Sequence, residues 1–111
     1  MNIFFAEHFN KQLKKLKKKY PHAKEDLLKE IDIFDINRAI SIGRAIYKIR
    51  IHSSDISKGK SGGFRCYLYL YIKKNVIVPL CIYAKSDNET LTANEIQYHF
   101  NQTIGEIVAK L

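Results

Sequence analysis

Four cations and two tyrosines stand where they can meet a phosphate chain. Lys48 and Arg50 lie two residues apart, as do Arg65 and Tyr67, and as do Tyr83 and Lys85. A spacing of two puts side chains on one face of a β-strand. If three such strands pair in register, cations converge beside aromatic rings. Guanidinium groups bind phosphate oxygens in bidentate fashion, and aromatic rings stack on unpaired bases. Single-stranded RNA is recognised by that combination. The alternative is a solvated sheet face carrying ordinary tyrosines. Between the first two groups lies Lys58-Gly59-Lys60-Ser61-Gly62-Gly63. Its glycines let backbone N–H groups approach a phosphate, and Lys58 and Lys60 add charge. It lacks the spacing of a nucleotide-binding P-loop, and it also reads as a plain hairpin loop. His52 follows the first basic strand as a possible proton carrier or as a loop residue.

The composition agrees with a polyanionic partner. The chain has 111 residues with 19 Lys and Arg against 11 Asp and Glu, a net charge of +8. Such a surface attracts nucleic acid or an acidic protein. Six lysines (Lys11, Lys14, Lys15, Lys17, Lys18 and Lys19) crowd one early segment, either as a solvated helix face or as contacts along a large RNA surface. The length fits one domain, residues 1–111, and 46% hydrophobic residues allow a modest core. No apolar run approaches the roughly 18 residues of a membrane helix. Met1-Asn2-Ile3-Phe4-Phe5 lacks the basic start and cleavage site of a signal peptide. It reads as a first strand, and the expected location is the cytoplasm, with no membrane partner. Cys66 and Cys81 sit in apolar runs and read as reduced core thiols. No ligand cluster points to a metal, and no cofactor is expected.

The remaining periodicities supply the scaffold. Phe9, Leu13, Leu16 and Tyr20 recur at spacings of four, three and four, one face of a helix that Pro21 ends. A second helix follows, with Leu27, Leu28, Ile31 and Phe34 inward and Lys24, Glu25, Asp26 and Lys29 outward, so the two form a helical hairpin. After Gly43 the period becomes 2. Strands are expected over 44–51, 64–72 and 76–83, with Arg44 on the basic face of the first. Pro79 implies an edge or a bulge. Thr92 and Glu95 form a capping-box pattern ahead of Ile96, Phe100, Ile104, Ile107 and Val108, a last amphipathic helix. The expected architecture is α+β, in the order β-α-α-β-β-β-α. Its sheet is mainly antiparallel, and the helical hairpin covers the Phe64/Cys66/Leu68/Leu70 face. Arg65 and the tyrosines are left on the opposite, open face.

Several segments together resemble the RelE superfamily, the HigB-like branch most closely. They are Tyr47-Lys48-Ile49-Arg50-Ile51, Gly59-Lys60-Ser61-Gly62-Gly63-Phe64-Arg65-Cys66-Tyr67, Leu80-Cys81-Ile82-Tyr83-Ala84-Lys85 and Leu91-Thr92-Ala93-Asn94-Glu95, preceded by Phe9 to Pro21. The resemblance spans nearly the whole chain. It implies a toxin of a type II toxin–antitoxin pair that cleaves mRNA on the ribosome without metal, the ribose 2′-OH attacking the adjacent phosphate. It casts Lys48, Arg50, Arg65 and Lys85 as the catalytic cations, with Arg65 holding the scissile phosphate. Lys58, Lys60, Tyr67, Tyr83 and His52 would contact RNA. The tyrosine near the C-terminus that RelE itself uses has no counterpart after Lys85, which leaves Lys48 and His52 as candidates for the general base. The implied partners are the ribosome, mRNA and an antitoxin, commonly of helix-turn-helix type and expected to be acidic. Two other functions fit the same architecture. One is a ParE-like toxin acting on a protein such as gyrase, a group that generally lacks the catalytic cations. The other is an RNA-binding module without catalysis.

Overall fold

Phe9 and Leu13 are buried along one stripe of an amphipathic helix, α1 (Glu7–Lys17), while Lys11, Lys14, Lys15 and Lys17 remain in solvent. The computed structural model describes residues 1–56, 62–88 and 90–111. A short strand β1 (Asn2–Ile3) precedes α1, and α2 (Ala23–Asp32) follows it. Then come β2 (Ile40–Gly43), β3 (Ile46–Ile51), β4 (Phe64–Tyr71), a 3₁₀ turn at Ile72–Lys74, β5 (Val76–Ala84) and α3 (Ala93–Lys110). The protein is thus α+β, with one five-stranded sheet in the order β1-β5-β4-β3-β2 among the described residues. All pairings are antiparallel except β1 with β5. No helix is long and apolar enough to cross a membrane, among the described residues.

The sheet has one strand more than its periodicity implied. Residues 44 and 45 are the two central residues of a β2–β3 hairpin, not the start of a strand. Arg44 and Ala45 take φ of 56° and 61°, the left-handed pair that a tight hairpin turn demands. Asn-Gly would adopt it with little strain; Arg-Ala does so at about 1 kcal/mol or more per residue. Ala45 O accepts from Leu70 N at 2.9 Å and Arg44 Nη1 donates to Gln97 Oε1 at 3.0 Å, which offsets that cost. Arg44 therefore leaves the basic strand face on which the alternation placed it.

The hairpin α1–α2 covers the expected face. Phe9, Leu13, Leu27 and Ile31 pack with Ile51, Phe64, Cys66, Leu68 and Leu70 in one buried cluster. Three expectations for this layer fail. Leu28 is exposed, and Ile72 leaves the strand in the 3₁₀ turn with 70% exposure. Asp26 points in rather than out, for a reason given below. Of the two positions expected for Pro79, an edge or a bulge, it takes the bulge, because Tyr67 pairs with Cys81 while Leu68 pairs with Pro79, leaving Leu80 extra. Beyond Ile77 the β1 strand has ended, and a side chain continues its work. Gln12 of α1 donates to Leu80 O at 3.2 Å and accepts from Ile82 N at 3.1 Å.

The opposite face is not open along its length. Helix α3 lies across it, burying Ile46, Tyr67, Leu80 and Cys81 with Ile96 and Phe100 against them. Further along, Val76 and Val78 bury with Ile107. Thr92 caps α3 as its sequence implied. Its hydroxyl accepts from Glu95 N at 3.2 Å, and Glu95 accepts from Thr92 N at 2.9 Å. Two links tie α3 to α1. Glu106 accepts from the first amide of α1, Glu7 N, at 2.7 Å, where an anion suits the helix terminus. His8 and His99 share a hydrogen bond at 2.8 Å.

Candidate nucleic-acid interface

Register across β3, β4 and β5 decides which chemistry-bearing side chains meet. Arg50 pairs with Arg65, and Arg65 pairs with Tyr83. The next row is Lys48, Tyr67 and Cys81. Directly paired residues share a face, so both rows look toward the side that α3 covers. Two arginines directly opposed on one face destabilise a sheet by about 0.2–1 kcal/mol.

The two arginines differ in exposure. Arg50 is exposed, whereas Arg65 keeps 5% of its surface and donates from Nη1 to Phe64 O at 3.2 Å. Lys48 is half-buried and donates to Thr90 Oγ1 at 3.1 Å, so the segment leading into α3 rests on the basic face. Lys48 and Arg50 also line an open cleft of about 440 Å³ with Glu30, Asp35 and Arg38.

Tyr67 does not stack a base: its ring is fully buried and its hydroxyl accepts from Leu91 N at 3.3 Å. It supports Tyr83 instead. The two rings stack with centroids 6.4 Å apart and an interplanar angle of 24°. Tyr83 itself remains half-buried. Its phenol is held strongly toward the protonated form, by burial first and by the hydrogen bond with Tyr67 next, while nearby Arg65 pulls the other way. Tyr83 is therefore no base at neutral pH. The thiols are inert as well. Burial pushes Cys81 up to about 12 and Cys66 well above the ordinary range, and both are free.

Lys85 and His52 sit apart from this row. Lys85 lines a different cleft, of about 530 Å³, with Tyr20, Gly62, Gly63 and Ser86. Its backbone N donates to Gly63 O at 3.0 Å. His52 is exposed where β3 ends. Lys58 and Lys60 lie outside the described residues, as does Glu89.

Gly63 has a structural duty whatever else its loop does. It holds φ of 88°, and a Cβ there would stand 2.2 Å from Ile51 O, so only glycine lets the β3 and β4 ends close. The other flank of that loop is anchored by acids the sequence left in solvent. Buried Asp26 accepts from Ser54 N at 2.9 Å and from Ser54 Oγ at 3.1 Å. Asp55 accepts from His22 N at 2.8 Å and pairs with His22 Nδ1 at 2.7 Å. These contacts were illegible in sequence, since Asp26 and Ser54 are 28 residues apart.

Among the described residues no group of three or more His, Cys, Asp or Glu is placed to hold a metal ion. No protein-family model matches the chain, and comparison with curated proteins finds no match.

Proposed function

We propose that this chain is an RNA-cleaving toxin of the RelE/HigB type, acting on mRNA in the ribosome and held in check by an antitoxin in the cytoplasm. The observation that carries the proposal is the row Arg50–Arg65–Tyr83, in which the exposed Arg50 and the half-buried Tyr83 flank an arginine that the fold buries. Phosphate recognition by an exposed arginine and stacking on an aromatic ring are the two needs of a single-stranded RNA site. In this function the ribose 2′-oxygen bonds to the adjacent phosphorus, and the bond to the 5′-oxygen breaks. The 2′-hydroxyl proton passes to His52 or to the neutral amine form of Lys48, and the leaving 5′-oxygen takes a proton from solvent water. Arg50 carries the charge that develops on the phosphate, and the buried Arg65 adds positive charge behind it. Lys85 and the exposed lysines of α1 (Lys11, Lys14, Lys15, Lys17) extend the contact with RNA phosphates.

The test is primer extension on a reporter mRNA in a translating extract, with wild-type protein, Arg50→Ala and Arg65→Ala. Arg50 is exposed, so its loss reports on chemistry; buried Arg65 requires circular dichroism alongside to separate chemistry from folding. Ribosome-dependent, codon-phased cuts that fall about a hundredfold in Arg50→Ala are expected, the size of one lost charge-stabilising contact. Intact mRNA with wild-type protein that still arrests cells would overturn the proposal in favour of a protein target such as gyrase. Ribosome binding without cutting would leave an RNA-binding module.

A further inference from the structure

Helix α3 and the β2–β3 hairpin enclose a cleft of about 750 Å³, beyond the Lys48–Tyr67 row. Small-molecule sites commonly fall between about 300 and 1,000 Å³. The lining is mostly apolar. It takes Ile42 from β2, Ile46 from β3, Tyr69 from β4, and Leu91, Ile96 and Phe100 from the α3 side. Ile46 and Tyr69 are directly paired and so share one sheet face. The Tyr69 and Phe100 rings meet edge to face, with centroids 5.2 Å apart and planes at 84°. Among the described residues of this lining, Arg44 alone carries a charge. That arginine is held in place. Its Nη1 donates to Gln97 Oε1 at 3.0 Å, and Gln97 Nε2 donates in turn to Asn101 Oδ1 at 2.8 Å. A guanidinium has five N–H donors, so one fixed contact leaves donors of the fork for a ligand. The acid in the first turn of α3, Glu95, is engaged at the helix cap, accepting from Thr92 N at 2.9 Å.

We infer that this cleft binds a small, planar aromatic monocarboxylate. The ring body sits against Tyr69, Phe100 and the aliphatic side chains, where a third ring extends the edge-to-face packing. The carboxylate takes the Arg44 fork in bidentate fashion. Asn94 and Gln97 add hydrogen-bonding groups beside it. Charge decides the ligand class. A nucleotide phosphate brings a second negative charge that no second cation of the lining meets. A neutral aromatic leaves the held guanidinium unmatched. The cleft contributes no group to the proposed RNA cleavage, so this site stands independently of that reading.

The probe is 2-naphthoate, titrated into the isolated protein and read by ¹H–¹⁵N NMR. Its neutral counterpart 2-naphthylmethanol and adenosine 5′-monophosphate are the comparisons. Saturable shifts are expected at Arg44, Ile46, Ile96, Gln97 and Phe100, with the alcohol about tenfold weaker, the size of one charge-assisted contact. Arg44→Asn removes the cation while easing the left-handed turn, which asparagine tolerates better than arginine. It should weaken naphthoate about tenfold and leave the alcohol unchanged. If that variant disturbs the whole spectrum, Ala93→Trp narrows the cleft from the exposed start of α3 and should weaken acid and alcohol alike. Absence of saturable binding, equal binding of acid and alcohol, shifts confined to the α1 lysines, or unchanged naphthoate affinity in the variant would overturn the inference. Tighter binding of the nucleotide at the same residues would also overturn it and make the cleft a nucleotide site. None of these results touches the primer-extension test, so failure of one proposal is distinguishable from failure of the other.

Discussion

The two faces of the sheet bury comparable side chains for different ends. Under α1 and α2 the face is almost purely apolar, with Phe64, Cys66 and Leu68 fully buried. Under α3 the face mixes apolar residues with Tyr67, Tyr69 and Tyr83, and a row of cations begins beside them. One helix cannot cover what two can. The hairpin seals its side from Ile77 to Phe64, whereas α3 leaves Arg50 exposed and Tyr83 half-buried. Chemistry needs solvent access and a fixed scaffold together, and only the incompletely covered face offers both.

The comparison breaks most sharply under core truncation. Phe64→Ala empties one end of the sealed face, where Tyr20 packs edge-on at 5.1 Å. A loss of about 3–5 kcal/mol is expected in urea unfolding. A loss under 1 kcal/mol would mean that this face is less tightly packed than its burial implies. Gly63→Ala acts at the seam between the core and the cationic row. The left-handed φ and the approach to Ile51 O predict a loss of about 2–4 kcal/mol, read as a lowered melting temperature. A neutral result would show that the strand ends can move apart.

Smaller effects belong to the α3 side. Thr92→Ala removes the capping box and costs about 1 kcal/mol. The expected signature is faster hydrogen exchange in the first turn of α3, with the α1–α2 face unchanged. Uniform acceleration across both faces would mean that the two layers open as one unit. The pH dependence comes last. Burial lowers His8 and His99, with Lys11 and His8 respectively pushing the same way and Glu106 and Glu95 pulling against. A histidine harder to protonate when folded costs stability once the unfolded chain takes up protons. The α1–α3 link is therefore at full strength above about pH 6.5 and weakens as pH falls below it. His22, raised by its exposed hydrogen bond to Asp55, works in the opposite direction. His99→Gln should flatten the fall in melting temperature between pH 7 and 5; an unchanged slope would assign the acid sensitivity elsewhere.

Patterns with a period were legible in the sequence. The helical stripe at Phe9, Leu13 and Leu16 chose α1, and alternation from Phe64 chose β4 and its core-facing side. The Thr92 and Glu95 pair marked the start of α3, and Pro79 marked a bulge. Each is a local rule, enforced by residues within one or two turns or strand steps. Strand β2 escaped because its hairpin turns on Arg44-Ala45, which carries no turn signature and is held by Leu70 and Gln97 from elsewhere. Asp26 escaped for the same reason, as its partner lies on another loop.

By itself the sequence determined the charge, the types of the strongly periodic elements and the inward side of α1 and β4, because those follow from composition and period. It also determined that Arg50, Arg65 and Tyr83 fall on strands at all. Only the tertiary structure decided that they share one row, since a slip of one residue in either pairing would send a side chain to the opposite face. It also decided that Tyr67 is a buried prop rather than a stacking ring, because the cover supplied by Leu91 and α3 comes from a part of the chain 24 residues away.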